Sequence, residues 1–268
     1  MLGGMNEPAG RQRAIVKPSE AVRKIDVSRY QPSAKWAPFI DYYWIVRWDL
    51  EIPHDQQVIP QPCIHLGAED GRLLVNGINR EPFIRTLRGK GHVLGAAFHP
   101  AGFRPLLGSS VGALTGRVVP AGEILGFDEM AAATRILDPG TSDEAMIAEL
   151  ESYLGQLEVA DDTTARALSD LVAVAENDRT VTRADDLADR AGVSLRTLQR
   201  QFTEYVGIGP KWVIQRFRLL DAAAAAHEGD RTDWAGLAAE LGFSDQAHLT
   251  RAFTSVVGTP PAAYEREA

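Results

Sequence analysis

Part of this chain is written twice, and few features restrict a fold more than an internal repeat. Leu187-Ala188, Gly192, Val193 and Ser194 recur 50 residues later as Leu237-Ala238, Gly242, Phe243 and Ser244. Beyond that serine the offset becomes 51: Leu198, Arg200, Phe202, Val206, Gly207 and Pro210 return as Leu249, Arg251, Phe253, Val257, Gly258 and Pro261. Two copies of one motif, differing by one inserted residue, predict two copies of one supersecondary unit, over about 182–207 and 232–258.

Each copy is patterned as a helix-turn-helix. In the first, Thr182 with Asp185 has the spacing of a capping box. Leu187, Ala188 and Ala191 make the inward face of a helix, and Gly192 ends it in the left-handed conformation. Ser194 caps the next helix by accepting from its free N–H groups. That helix buries Leu198, Phe202 and Val206 and turns Arg196, Gln199, Arg200 and Thr203 outward. Arg and Gln on one stripe can pair bidentately with base edges in a major groove, so the DNA-facing set is Arg196, Thr197, Gln199, Arg200 and Thr203.

The second copy repeats the design with Gly242, Ser244, Leu249, Phe253 and Val257. Its outward stripe is Gln246, Ala247, His248, Thr250, Arg251 and Thr254. Ala247 stands where the first copy has Arg196, so this unit positions the protein more than it reads sequence. Between the copies, Lys211–His227 is patterned as one helix with Val213, Ile214, Phe217, Leu220 and Ala224 on one face. Its length of roughly 25 Å, plus flanking turns, places the two recognition helices one DNA turn, about 34 Å, apart. Arg216 and Arg218 on this helix either grip phosphate or brace it. Leu198, Phe202, Leu249, Phe253, Trp212 and Trp234 are assigned to the core.

Two helix-turn-helix units on a shared helix resemble the AraC/XylS family of bacterial transcription regulators, over about Ala165 to Tyr264. The likeness is densest in Gly242-Phe243-Ser244-Asp245-Gln246-Ala247-His248-Leu249-Thr250-Arg251-Ala252-Phe253, then Gly258-Thr259-Pro260-Pro261 and Tyr264. The chain departs from the family at Glu265-Arg266, where an arginine usually follows the aromatic directly. The resemblance implies that Arg196, Gln199 and Arg200 read bases, and that Gln246, His248 and Arg251, with Thr250 beside them, do so less strictly. It implies promoter duplex DNA as partner, contact with RNA polymerase, and a cytoplasmic location.

The amino-terminal half reads differently. Tyr43 to Leu50 alternates, with Trp44, Val46, Trp48 and Leu50 on one side and Tyr43, Ile45, Arg47 and Asp49 on the other, as in a half-buried strand. Short apolar runs follow at 57–59, 63–66, 72–75 and 93–98. Turn-rich pieces at Gly67–Gly71, Asn76–Asn79, Gly89–Gly91 and Pro100–Gly102 separate them. From about Pro120 the pattern becomes helical, with one helix over Asp143–Leu157. The polar stretch Glu158–Thr164 marks a boundary. The expected class is α+β: a loose terminus (1–20), a β-rich sheet or barrel-like regulatory domain with trailing helices (21–160), and an all-α DNA-binding domain (165–268). Trp36, Tyr43-Trp44, the run Ile59 to Leu66, and Leu94 to Gly108 resemble a domain recurrently fused to such regulators.

That half invites three sharper readings. Six aromatics, Trp36, Phe39, Tyr42, Tyr43, Trp44 and Trp48, could wall a small-molecule effector pocket. His54, His65, His92 and His99 lack the paired spacing of a metal site, so no metal or other cofactor is expected. Pro62-Cys63-Ile64-His65 is a faint match to the Pro-Cys-His pattern of DNA alkyl-transfer proteins. It lacks the adjacent histidine, and a lone apolar-flanked cysteine is ordinarily a small buried hydrophobe. The expectation is therefore a non-enzymatic, effector-responsive regulator. The alternatives are a DNA-binding protein with an alkyl-accepting Cys63, or a regulator whose amino-terminal domain only dimerises. Monomer and homodimer both fit, because one chain already carries two reading helices.

Composition raises one objection. The net charge is −8, and a DNA binder needs Lys and Arg against phosphate. The charge is local, however. Residues 194–218 hold Arg196, Arg200, Lys211, Arg216 and Arg218 against Glu204 alone. A patch of that size predicts modest non-specific affinity and a shallow salt dependence. A single cysteine excludes an internal disulfide framework, no apolar run is long enough for a membrane span, and the first residues lack the apolar core of a secretory signal.

Overall fold

The computed structural model describes residues 15–16, 18–138, 142–227 and 232–267. Most of the expected loose terminus lies outside these residues. Within it, Ile15 bridges to Val58, and a short helix, α1, covers Pro18–Ala21.

Six strands form one antiparallel sheet: β1 (Ile25–Tyr30), β2 (Ile40–Val58), β3 (His65–Glu69), β4 (Arg72–Asn76), β5 (Phe83–Phe98) and β6 (Val118–Pro120), in the order β1-β2-β5-β3-β4-β6. The alternation read from β2 holds. Tyr43 and Ile45 are fully buried on the core face, while Trp44 and Trp48 lie on the opposite face.

One expected turn is shorter than read and another lies inside a strand. Gly67 to Glu69 belongs to β3, and the chain reverses only at Asp70-Gly71, where φ is +47° and +72°. Gly89–Gly91 lies within β5. Gly89 takes φ +57° beside an irregularity in the pairing with β2, whereas the reason for glycine at 91 and 95 is packing: a Cβ on Gly91 would stand 2.5 Å from the Trp48 ring, and one on Gly95 would stand 2.3 Å from the Trp44 ring. The two indoles lie across bare backbone, a use of glycine that resembles a turn signal in sequence.

Helices α2 (Arg104–Leu107), α3 (Ala121–Leu125), α4 (Glu129–Leu137) and α5 (Asp143–Leu154) follow, with a 3-10 turn at Val111–Leu114 before β6. α5 packs on the core face of the sheet, where Tyr30 and Arg47 both engage Asp143 in its first turn. The Glu158–Thr164 boundary ends earlier than read. Asp162 already caps α6 (Thr163–Asn177), accepting from Ala165 N–H at 3.0 Å.

The remaining helices are α7 (Ala184–Ala191), α8 (Leu195–Gln201), α9 (Pro210–Ala225), α10 (Trp234–Glu240), α11 (Gln246–Val257) and α12 (Pro261–Glu267). Thus α7–α8 and α10–α11 are the two repeated units and α9 joins them. One apolar core runs from Ile45 and Leu66 in the sheet through Phe202 and Phe217 to Phe253. The α+β architecture read from the sequence stands. No helix among the described residues is long and apolar enough to cross a membrane.

Candidate nucleic-acid interface

The two units are built alike because their glycines do the same work. Gly192 and Gly242 end the first helix of each at φ +64° and +76°, and Gly207 and Gly258 end the second at +96° and +88°. A side chain is strained in that conformation, which explains why the repeat keeps glycine at these places. Leu198, Phe202, Leu249 and Phe253 are fully buried.

The caps correct two readings. α7 starts one residue later than the Thr182–Asp185 spacing suggests. Asp186, not Asp185, accepts from the N–H groups of Thr182 (3.1 Å) and Arg183 (2.8 Å). Thr182 is used elsewhere: its side chain packs against Gly242, where a Cβ would come within 2.7 Å of it. Ala191, expected inside, is exposed on the last turn of α7. Ser194 caps α8 as expected, accepting from Thr197 N–H at 3.2 Å. In the second unit the cap is Asp245 rather than Ser244, accepting from His248 N–H at 2.6 Å. The inserted residue is absorbed here, since Asp245 lies 51 positions after Ser194. That N–H bond holds the Asp245 carboxyl below its ordinary range.

Arg196, Gln199 and Arg200 are exposed together on α8, and Thr197 is half-buried, its hydroxyl 3.0 Å from that of Ser194. Thr203 is exposed too, but it lies in a differently wound turn. After Gln201 the helix widens into a π turn over Phe202–Val206, closed by Gly207 N–H donating to the Phe202 carbonyl at 2.8 Å. The Thr203 hydroxyl donates to the Gln199 carbonyl at 2.9 Å. Its backbone lies so close to Gly112 that a Cβ there would stand 2.8 Å from the Thr203 oxygen.

On α11, Gln246, Ala247 and Arg251 are exposed and Thr250 is half-buried. His248 folds edge-on against Phe243 at 5.2 Å between centroids. Its Nδ1 accepts from Ser244 N–H at 3.4 Å, leaving Nε2 as the ring's donor.

The open choice for the two linker arginines is decided by burial. Arg218 is 1% exposed. It donates to the carbonyls of Ala175 (2.7 Å), Asp178 (2.8 Å) and Val181 (3.2 Å) and pairs with Asp221 at 2.9 Å. Arg216 is 3% exposed, lies over the Trp212 ring at 4.4 Å and donates to the Arg80 carbonyl at 3.0 Å. Burial pulls its pKa down to about 10, which leaves it charged at neutral pH. Both arginines brace α9 and neither presents a cation to DNA. Trp212, assigned to the core, is half-buried because it serves as the platform for Arg216.

The exposed cations around the reading helices are therefore Arg196, Arg200, Lys211 and Arg251. Other basic residues of these helices are matched locally: Arg183 with Asp185, Arg190 with Asp178, and Arg179 with Asp221 and Glu240. Glu265, the departure at the end of the domain, accepts from Thr232 N–H at 2.7 Å and from the Trp234 indole at 3.3 Å. It ties α12 to the start of α10.

Among the described residues of the amino-terminal half, the histidines do not converge on one site. The four go to separate partners: His54 to Gln56, His65 to Cys63 and Trp44, His92 to the Leu137 carbonyl, and His99 to the Ala37 carbonyl. Among the described residues no group of three or more His, Cys, Asp or Glu could hold a metal. Cys63 is buried, with Sγ 3.3 Å from His65 Nε2. Of the six clustered aromatics, Trp36, Phe39 and Tyr43 join the main core, while Trp48 packs with the separate cluster around Ile25 and Leu87.

Sequence reasoning missed the contacts that join the two halves. Gln57 donates its amide to the carbonyls of Val256 (3.2 Å) and Val257 (3.1 Å). The Thr115 hydroxyl donates to the Gly207 carbonyl, and that of Ser169 to the Pro100 carbonyl. Arg104 approaches Glu204 at 3.4 Å and lies over the Tyr205 ring.

Comparison with known proteins agrees with this geometry. Residues 187–267 match the family described as a helix-turn-helix domain, and residues 28–120 match one described as a domain of unknown function (DUF6597). A Streptomyces lividans protein described as an AraC-like transcription regulator is 40% identical over 81 residues, covering 30% of this chain and 26% of that protein. The HTH-type transcriptional activator RhaS of Pectobacterium carotovorum is 33% identical over 82 residues, covering 31% of this chain and 29% of that protein. The chain thus spans little more than a quarter of the length of these relatives. Among solved structures, ToxT from Vibrio cholerae overlaps 91% of this chain and 98% of its own, at 14% identity and a TM-score of 0.40.

Proposed function

Residues 187–267 are an AraC-type helix-turn-helix domain, and from that premise we propose that the chain is a sequence-specific, duplex-DNA-binding transcription regulator. One observation carries the reading. Two capped helices, each seated on a buried Leu and Phe, expose Arg196, Gln199 and Arg200 on one and Gln246 and Arg251 on the other. Guanidinium and amide groups fixed on a rigid helix are what bidentate recognition of guanine and adenine edges requires. The first unit carries the stronger readers, because Ala247 leaves the second without a counterpart to Arg196. His248 contributes its Nε2 donor, and Thr197, Thr203 and Thr250 lie at the margins of the contact.

In this reading the chain binds as a monomer across two successive major-groove segments. The amino-terminal domain responds to a small-molecule effector and alters DNA affinity or contact with RNA polymerase. An effector does so only by binding one arrangement better than the other. Burial of Cys63 favours a structural thiol over an alkyl acceptor.

Genome-wide footprinting of the purified full chain tests the proposal. The expected result is a defined recurring motif of two parts. Uniform low-level protection with no motif would count against it. Thermal-shift screening against metabolites tests the effector step, since a true ligand raises the melting temperature with concentration.

A further inference from the structure

The contacts between the two halves fall at particular places on the reading helices. Gln57, near the end of β2, donates to the last two carbonyls of α11. The terminal carbonyls of a helix have no partner within it, so this amide completes that end. Thr115, beyond the 3-10 turn, donates to the carbonyl of Gly207, the residue that closes the π turn after α8. Gly112 in the same turn lies against Thr203 with no room for a side chain. The amino-terminal domain therefore holds both recognition helices, each at its carboxy-terminal end. It leaves Arg196, Arg200, Gln246 and Arg251 exposed.

An occluding contact would cover the reading residues, and this one does not. What it constrains is the relative position of the helices. Through the chain, α8 and α11 are linked by way of α9 and α10, and α8 enters α9 through Gly207 at φ +96° and Gly209. The amino-terminal domain supplies a second path between the same two helices, from Thr115 to Gln57 across one sheet.

We propose that Gln57 and Thr115 form an intramolecular clamp that fixes the separation of the two reading helices, so that the amino-terminal domain sets which half-site spacing the protein accepts. The inference rests on reading α8 and α11 as DNA-binding helices. A ligand that shifts β2 against the Val111–Thr115 turn would then change operator choice without touching a base-contacting residue.

The test uses the full chain. Duplexes selected from a random pool by the wild-type protein are re-synthesised with one base pair added or removed between the two contacted segments. Affinities are then measured for wild type, Gln57→Ala and Thr115→Val. Both substitutions remove a side-chain donor without changing the backbone, and circular dichroism verifies the fold. For wild type the spacing change costs about tenfold or more in affinity, comparable to a mismatched base pair. In the variants that penalty shrinks to about threefold or less, while affinity for the unaltered duplex stays near the wild-type value. Variants that keep the wild-type penalty, or a wild type indifferent to spacing, would overturn the clamp and leave the DNA-binding reading intact. A wild type that selects no sequence at all would overturn both.

Discussion

Arg218 and Asp221 form an ion pair at 2.9 Å in which the two side chains are 1% and 9% exposed. The arginine also takes three carbonyls at the end of α6 and the segment after it, so one guanidinium joins α6, the approach to α7 and α9. Removing the arginine leaves those carbonyls without their donor, while Asp221 keeps Arg179 at 3.5 Å, so the cost is about 3 kcal/mol, the low end for breaking a buried pair. Arg218→Ala is therefore expected to lower unfolding stability by that amount in urea titrations. The folded fraction should keep its DNA affinity. A variant of normal stability but weakened DNA binding would return Arg218 to the phosphate-contacting set.

Salt dependence follows from which cations remain outside. With Arg216 and Arg218 buried, the reading surface offers Arg196, Arg200, Lys211 and Arg251. If all four displaced counterions as phosphate contacts do, the slope would reach about −3 to −4 in log K against log salt, and base-reading by the arginines makes it shallower. Fluorescence anisotropy across a salt series measures it. A slope near −10 would mean that cations outside this surface engage the duplex.

Gly95 is expected to resist substitution for a steric reason. A Cβ there would meet the Trp44 ring at 2.3 Å and displace the indole that donates to His65 at 3.2 Å. Gly95→Ala should cost about 1–3 kcal/mol, the range for overpacking a filled site. The double variant Gly95→Ala, Trp44→Phe should recover part of that loss in thermal denaturation, because a smaller ring leaves room for the methyl.

Acid sensitivity is expected from His65. Burial first, and the Arg29 guanidinium second, lower its pKa to about 4. In the unfolded chain it titrates near the ordinary value of about 6.5. Between those values the unfolded state binds a proton that the folded state refuses, so stability falls as pH drops from about 6.5 to about 4 and levels off below. The full effect is of the order of 3 kcal/mol. Denaturant titrations at pH 7 and pH 4.5 should differ by less in His65→Gln than in wild type. An equal difference in both would assign the acid sensitivity to other groups.

Local physics was readable in the sequence, and long-range physics was not. The repeat gave both helix-turn-helix units, because Leu198, Phe202 and the αL glycines are each dictated by neighbours within a few residues. Even the inserted residue has a local account, in the shift of the cap from Ser244 to Asp245. Gly89–Gly91 misled, since Gly91, which makes room for an indole from another strand, and Gly89, at φ +57° beside an irregularity within the ladder, both look like residues that make a turn. The roles of Arg216 and Arg218 depended on Arg80, Ala175 and Asp178, which no helical period reveals. The clamp was invisible for the same reason: Gln57 and Val257 are 200 positions apart. The small β1 and β6 strands were likewise missed, because pairing with β2 and β4, rather than their own pattern, makes them strands.

The central claim is that α8 reads base sequence through Arg196 and Arg200. Footprinting of the full-length Arg196→Ala, Arg200→Ala double variant on a wild-type-selected duplex tests it most directly. The expected result is loss of protection over the half-site read by α8, with each lost bidentate pair costing about 1–3 kcal/mol of discrimination. Protection over the half-site read by α11 should survive at higher protein concentration. A wild-type footprint from the double variant would contradict the account.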